Sequence, residues 1–136
     1  MNKILVDTNI VIDLLSKRKE FYEAASRLFT LSDNKEVKLA ISSLTFANIF
    51  YLLSKELNPK KAKEILRKFK LLVKVLPMDD KIIDLSLNSD FKDFEDAIQY
   101  YTALENKLEI IITRNLKDFK LSKIPVMTAD DFLTMK

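Results

Sequence analysis

Ile4-Leu5-Val6-Asp7-Thr8-Asn9-Ile10, close to the start of the chain, sets three apolar residues directly before a carboxylate, a hydroxyl and an amide. A short apolar run bounded in this way reads as a buried strand ending at Val6, with a helix beginning just beyond it. In parallel α/β folds, ligands bind in the crevice outside the carboxyl ends of the strands. Asp7, Thr8 and Asn9 are therefore candidate crevice residues.

The same grammar repeats along the chain. Strand candidates are Ile4–Val6, Val37–Ile41, Leu72–Leu76 and Glu109–Thr113, with a fifth around Pro125–Met127. Between them, Phe21, Ala24, Ala25, Leu28 and Phe29 keep helical spacing, as do Ile65, Leu66, Phe69 and Leu72. Phe94, Ala97, Ile98, Tyr101, Leu104 and Leu108 keep it again. With no glycine in the chain, turns are expected at Asp33-Asn34, Asn58-Pro59, Pro77, Asn88-Ser89-Asp90 and Asn106, because Asn and Asp tolerate turn and left-handed backbone. Alternating strands and helices of these lengths predict one α/β domain over residues 1–136. Its architecture would be a three-layer α/β/α sandwich around a mainly parallel sheet of four to five strands. Right-handed crossovers place the strand carboxyl ends on one edge, so Thr113-Arg114-Asn115 joins Asp7 there.

Composition narrows the chemistry. The 136 residues include no His, no Cys and no Gly. Ser-His-Asp and Cys-His mechanisms are excluded, as are zinc sites of imidazole and thiolate. Phosphate-binding loops that need glycine for close backbone approach are excluded as well. Carboxylates, amides, hydroxyls, Lys, Arg, Tyr or a bound metal remain. No apolar run approaches a membrane span and the start shows no long apolar signal region, so a cytoplasmic setting is expected. The net charge of +3 does not announce a nucleic-acid binder. Lys55, Lys60, Lys61, Lys63, Arg67, Lys68, Lys70 and Lys74 nevertheless crowd one stretch, readable as a solvated face or as a phosphate-binding one.

Two segments sharpen the picture. Ser43–Leu57 is apolar nearly all round, the mark of a helix buried on several sides or placed at a subunit interface, and Asn48 is its polar exception. Asn48 reads equally well as a satisfied buried amide or as a group aimed into the crevice. In Phe91-Lys92-Asp93-Phe94-Glu95-Asp96-Ala97-Ile98-Gln99, Asp93 and Asp96 lie three apart on one expected helix face, with Gln99 continuing the line. Acids in a first helical turn also simply complement the helix dipole. Several carboxylates brought to one edge repel one another, so either one takes a proton or a cation joins them. Oxygen-only ligands suit Mg2+ or Mn2+. In the last segment Asn115 can ligate or orient, or cap a short helix, while Asp118 offers a further carboxylate and Arg114 a fork for phosphate.

Taken in order, four stretches resemble the PIN-domain family, specifically its VapC-type toxin ribonucleases. They are Val6-Asp7-Thr8-Asn9-Ile10, Ile41-Ser42-Ser43-Leu44-Thr45, Asp93-Phe94-Glu95-Asp96-Ala97-Ile98-Gln99 and Ile112-Thr113-Arg114-Asn115-Leu116-Lys117-Asp118-Phe119. The resemblance implies Mg2+- or Mn2+-dependent cleavage of RNA, a homodimer and a small antitoxin partner. It carries metal ligands to Asp7 and Asp96, puts the fourth acidic or amide position on Asn115 with Asp118 close behind, and gives Thr8, Asn9 and Thr113 supporting roles. Most such nucleases have Glu where this chain has Asn48, and Asp93 adds an acid nearby. A subgroup of bacterial PIN proteins shares both features. A catalytically weak PIN fold that binds RNA or a protein is the alternative that Asn48 and the basic stretch keep open. A receiver-type phosphotransfer domain fits less well, since Asp7 lacks the neighbouring acidic pair such sites use.

Overall fold

All five expected strands are present, and every pairing between them is parallel. The computed structural model describes residues 1–136. Strands β1 (Asn2–Val6), β2 (Val37–Ser42), β3 (Val73–Leu76), β4 (Ile110–Ile112) and β5 (Val126–Met127) lie in the order β3-β2-β1-β4-β5. Seven helices connect or flank them: α1 (Thr8–Leu15), α2 (Tyr22–Asp33), α3 (Ser43–Glu56), α4 (Pro59–Phe69), α5 (Asp80–Leu87), α6 (Phe94–Glu105) and α7 (Ala129–Met135). The chain builds outward from β1 through β2 to β3, then returns to the other side of β1 with β4 and β5. The reversal falls between β1 and β4, and a crevice at such a switch point is where open parallel sheets hold ligands. Asp7 follows β1 there and Thr113 follows β4. The Asp7 backbone N–H donates to the Ile112 carbonyl at 2.9 Å, which keeps the two strand ends side by side.

Side chains alternate across the sheet with the two-residue period of a strand. Ile4 and Val6 of β1, with Ile110 and Ile112 of β4, face a large core shared with α1, α2, α3, α4 and α7. Phe29 and Phe69 meet within it, ring centres 5.5 Å apart. Leu5 and Ile111 face the other way, onto Tyr100 and Ala103 of α6 and onto Phe119. The sandwich is thus lopsided, and its thin layer is the one that carries the acidic helix α6.

Two expectations are corrected. The left-handed residues are Lys17, Lys35 and Lys107, with φ of 48°, 61° and 56°, and the last two directly follow the expected turn residues Asn34 and Asn106. Asn34 and Asn106 instead end α2 and α6 with ordinary negative φ, and the following lysine absorbs the turn. Left-handed backbone costs a non-glycine residue about 1–2 kcal/mol, so this chain stores that strain at three lysines. Secondly, α3 is not buried on several sides. Thr45, Ile49 and Leu53 form its one buried row, while Tyr51 on the outer side is 70% exposed. No helix is long and apolar enough to cross a membrane.

Candidate functional site

Asp7 stands at the switch point as the N-cap of α1, its backbone still extended from β1. Its Oδ1 accepts from the Thr8 backbone N–H at 2.8 Å, and its Oδ2 accepts from the Thr113 hydroxyl at 2.7 Å. The Thr113 hydroxyl oxygen accepts in turn from the Asn115 backbone N–H at 3.1 Å and from the Asn9 side-chain amide at 3.5 Å. The Asn9 carbonyl oxygen accepts from the Arg114 backbone N–H at 3.4 Å. Thr113 thus contacts Asp7 directly, and Asn9 reaches it only through Thr113. Thr8 acts on Asp7 through its backbone alone. Its hydroxyl is hydrogen-bonded to that of Thr45 at 2.9 Å, and the buried Gln99 amide donates to Thr45 at 2.6 Å and reaches Thr8 at 3.4 Å. This triplet ties α1, α3 and α6 together. Spacing put Gln99 on the line of Asp93 and Asp96, but its bond to Thr45 joins residues too far apart in sequence to be read from it.

The electrostatics of Asp7 are unusual for a carboxylate that is only 7% exposed. Burial pushes its pKa up, the two hydrogen bonds pull it back, and the charges of Asp118 and Glu95 push it up further. No lysine or arginine neutralises it.

The acids at the start of α6 share that field. Asp93 is the N-cap of α6, and its Oδ1 accepts from the Asp96 backbone N–H at 3.1 Å. Asp93 thus precedes the helix instead of sharing a helical face with Asp96, as an acid with extended backbone and free N–H groups ahead of it should. Asp96 is half-buried in the first turn. Burial, then the charges of Asp93, Asp7, Asp118 and Glu95, push its carboxyl up to about 7. Asp93, Asp96 and Asp118 line one cleft of about 380 Å³, edged by Lys92 and Lys117. Asn48 is half-buried and reaches across to α6, its side-chain N–H donating to Glu95 Oε1 at 3.4 Å. Glu95 was absent from the residues singled out by spacing. No three of these acids converge closely enough to close a cage by themselves. They form an open crevice in which the acids are interleaved with Lys92, Lys117 and Lys120.

Asn115 is exposed and precedes a short 3₁₀ turn, Leu116–Phe119, but its side chain caps nothing. It borders a second cavity, of about 250 Å³, with Asp13, Phe21 and Arg114. The expected phosphate fork is already engaged there. Arg114 Nε donates to Asp13 Oδ2 at 2.8 Å, and its guanidinium lies 4.0 Å from the Phe21 ring centre. Only its terminal amino groups remain for another ligand. Asp13, only 1% exposed, was missed by sequence reasoning, because a single acid in Ile10-Val11-Ile12-Asp13-Leu14-Leu15 looks like the outer side of a helix.

Comparison with known proteins bears on this geometry. Residues 3–117 match a family model described as PIN domain. The chain is 27% identical over 135 residues to Ribonuclease VapC1 of Aquifex aeolicus (strain VF5), covering 96% of this chain and 92% of that protein. A structure described as a toxin-antitoxin complex from Klebsiella pneumoniae is 30% identical with a TM-score of 0.69, over 93% of this chain and 97% of that one. FitAcB from Neisseria gonorrhoeae shares the fold with a TM-score of 0.71 at 19% identity, over 93% of this chain and 97% of that one.

Proposed function

The chain belongs to the PIN-domain family, and from that premise we propose that it is an endoribonuclease that hydrolyses RNA phosphodiester bonds with Mg2+ or Mn2+. In the same reading it is the toxin of a toxin–antitoxin pair, held in check by a small antitoxin protein and assembling as a homodimer. The relatives named as a ribonuclease and as a toxin-antitoxin complex support that role. The observation that carries the chemistry is Asp7, a buried carboxylate with neutral donors only and acids around it.

The donor set fits a hard divalent cation. It is all oxygen, and its charges raise one another's pKa values until a cation offsets them. Mg2+ is usually bound through one or two carboxylates with waters completing its shell, so a closed protein cage is not required. Asp7 and Asp96 hold the ion, and Asp93, Asp118, Asn115 and Asn48 complete the shell or position water. Such an ion, when bound, supplies positive charge against the phosphodiester and acidifies water. Thr113 and the Thr8 backbone hold the Asp7 carboxylate in one orientation, with Asn9 steadying Thr113. Burial and the neighbouring acids push the Asp96 carboxyl up to about 7 while no cation is bound, and a bound cation would favour its ionised form.

The test is RNA cleavage by protein freed of other nucleases, with and without EDTA, alongside Asp7→Asn and Asp96→Asn. Cleavage should stop in each case. Cleavage that ignores EDTA, or that persists in both variants, contradicts the reading.

A further inference from the structure

We infer that the cavity beside Arg114 is a base pocket that selects guanine in the RNA, next to the bond that is cut. This rests on the ribonuclease reading above and adds a sequence preference to it. Ile10, one turn beyond Asp7 on α1, lines the cavity together with Asn115. Arg114 directly follows Thr113, whose hydroxyl donates to Asp7 at 2.7 Å. The cavity therefore adjoins the crevice, and a base seated in it belongs to a nucleotide flanking the scissile phosphate.

Arg114 is held in two ways and free in a third. Its Nε donates to Asp13 Oδ2 at 2.8 Å, and its guanidinium lies over the Phe21 ring, 4.0 Å from the centre. Its terminal nitrogens have no hydrogen-bond partner in the protein, and the side chain keeps 27% exposure. A structural tether needs only the Nε bond. It leaves unexplained a planar fork fixed beside a cavity of about 250 Å³. Drug-sized sites run to about 300–1,000 Å³, so this smaller space suits a single planar base.

Charge narrows the choice further. Asp13, Glu20 and Asp130 line the cavity with Arg114, three acids against one cation. A phosphate is repelled by the acids, and a cationic side chain meets Arg114. What fits is a neutral planar group with acceptors for the fork and donors for the carboxylates. Guanine has both, since O6 and N7 form an adjacent acceptor pair that Arg meets bidentately and the N2 amino group donates. Adenine sets an amino group beside its N7, against the donors of the fork, and pyrimidines have no N7. Single-stranded RNA is read in this manner, through the edges of unstacked bases. Asp13 and Phe21 are then positioning residues that aim the fork.

The experiment has a binding arm and a cleavage arm. Metal-free protein is titrated with guanosine, 7-deazaguanosine, adenosine, cytidine and uridine, followed by NMR of the Arg114 Nε–H group. Guanosine should move that signal saturably and bind on the order of tenfold more tightly than the others. In the second arm a randomised-sequence RNA pool is cleaved and the new ends are sequenced. Guanine should be favoured on the order of tenfold at one fixed position beside the cut, and Arg114→Lys, Phe21→Leu and Glu20→Gln should each relax that preference. Cuts with no favoured base at any fixed position overturn the inference and leave the ribonuclease reading intact. Guanosine bound no better than adenosine overturns it as well, whether or not RNA is cleaved. A guanine preference that survives unchanged in all three variants overturns its assignment to this cavity. Selective guanosine binding by a protein that cuts no RNA supports the pocket and contradicts the ribonuclease reading.

Discussion

Asp7 and Asp13 are both buried aspartates associated with α1, and their surroundings are opposite. Asp13 has a permanent cation against it, Arg114 at 2.8 Å, and that cation is itself backed by the Phe21 ring. That pair offsets part of the cost of burial, which still pushes the Asp13 pKa up. Asp7 has a backbone N–H, a threonine hydroxyl and a set of acidic neighbours, so its charge is balanced by nothing in the chain. Burying an ionised carboxylate is expensive unless a partner offsets it. Asp13 therefore serves the structure, and Asp7 is the acid that the proposed cation would offset.

Exchanging each acid for a neutral residue should separate the two roles. Asp7→Asn should lower RNA cleavage at least about 100-fold, since several kcal/mol of charge stabilisation depart with the ion. The same change should leave the metal-free protein as stable as before, or more so, in urea denaturation. Asp13→Ala should do the reverse and cost about 3 kcal/mol of stability, the lower end for breaking a buried pair because the Arg114 side chain keeps 27% exposure. An Asp13→Ala protein of unaltered stability would break the comparison.

Thr113→Val probes the support of Asp7 without touching its charge. It removes the donor to Oδ2 and the acceptor used by Asn115 and Asn9, and Mn2+ binding should weaken about tenfold. A smaller effect concerns pH. Asp96 titrates at about 7 in the fold against 3.8 for an unconstrained aspartate. Between those values the folded state binds more protons than the unfolded one, so stability of the metal-free protein should fall as pH rises through that window. Asp7 and Asp13, both raised, slope the same way. Asp96→Asn should flatten the curve, as read by thermal melts across pH 4 to 8. A curve that keeps its slope in Asp96→Asn would place the titration elsewhere.

How much of this could be read from the chain depends on how local each signal is. The strands were legible because Ile4-Leu5-Val6 and Ile110-Ile111-Ile112 are apolar runs bounded by polar residues, and their edge brought Asp7 next to Thr113. The capping role of Asp93 was available in principle, since an acid just ahead of a helical apolar row is an N-cap signal. The roles of Asp13 and Gln99 were not available. Their meaning comes from Arg114 and Thr45, residues 101 and 54 positions away, and neither residue departs from what a helix surface tolerates. Glu95 was hidden similarly, as one acid among several until Asn48 reached it across the crevice. Left-handed Lys35 and Lys107 were obscured by Asn34 and Asn106 beside them, since Asn tolerates that backbone better than Lys, and nothing in Ser16-Lys17-Arg18 marks Lys17.

The central claim is that the charge of Asp7 is open to a cation and that of Asp13 is closed. Carbon-13 NMR of the aspartate carboxyl groups, followed through a Mg2+ titration, compares the two within one sample. The account predicts that the Asp7 and Asp96 signals move saturably and together while the Asp13 signal stays in place. An Asp7 signal that stays still at saturating Mg2+, or that moves no more than that of Asp13, would contradict it.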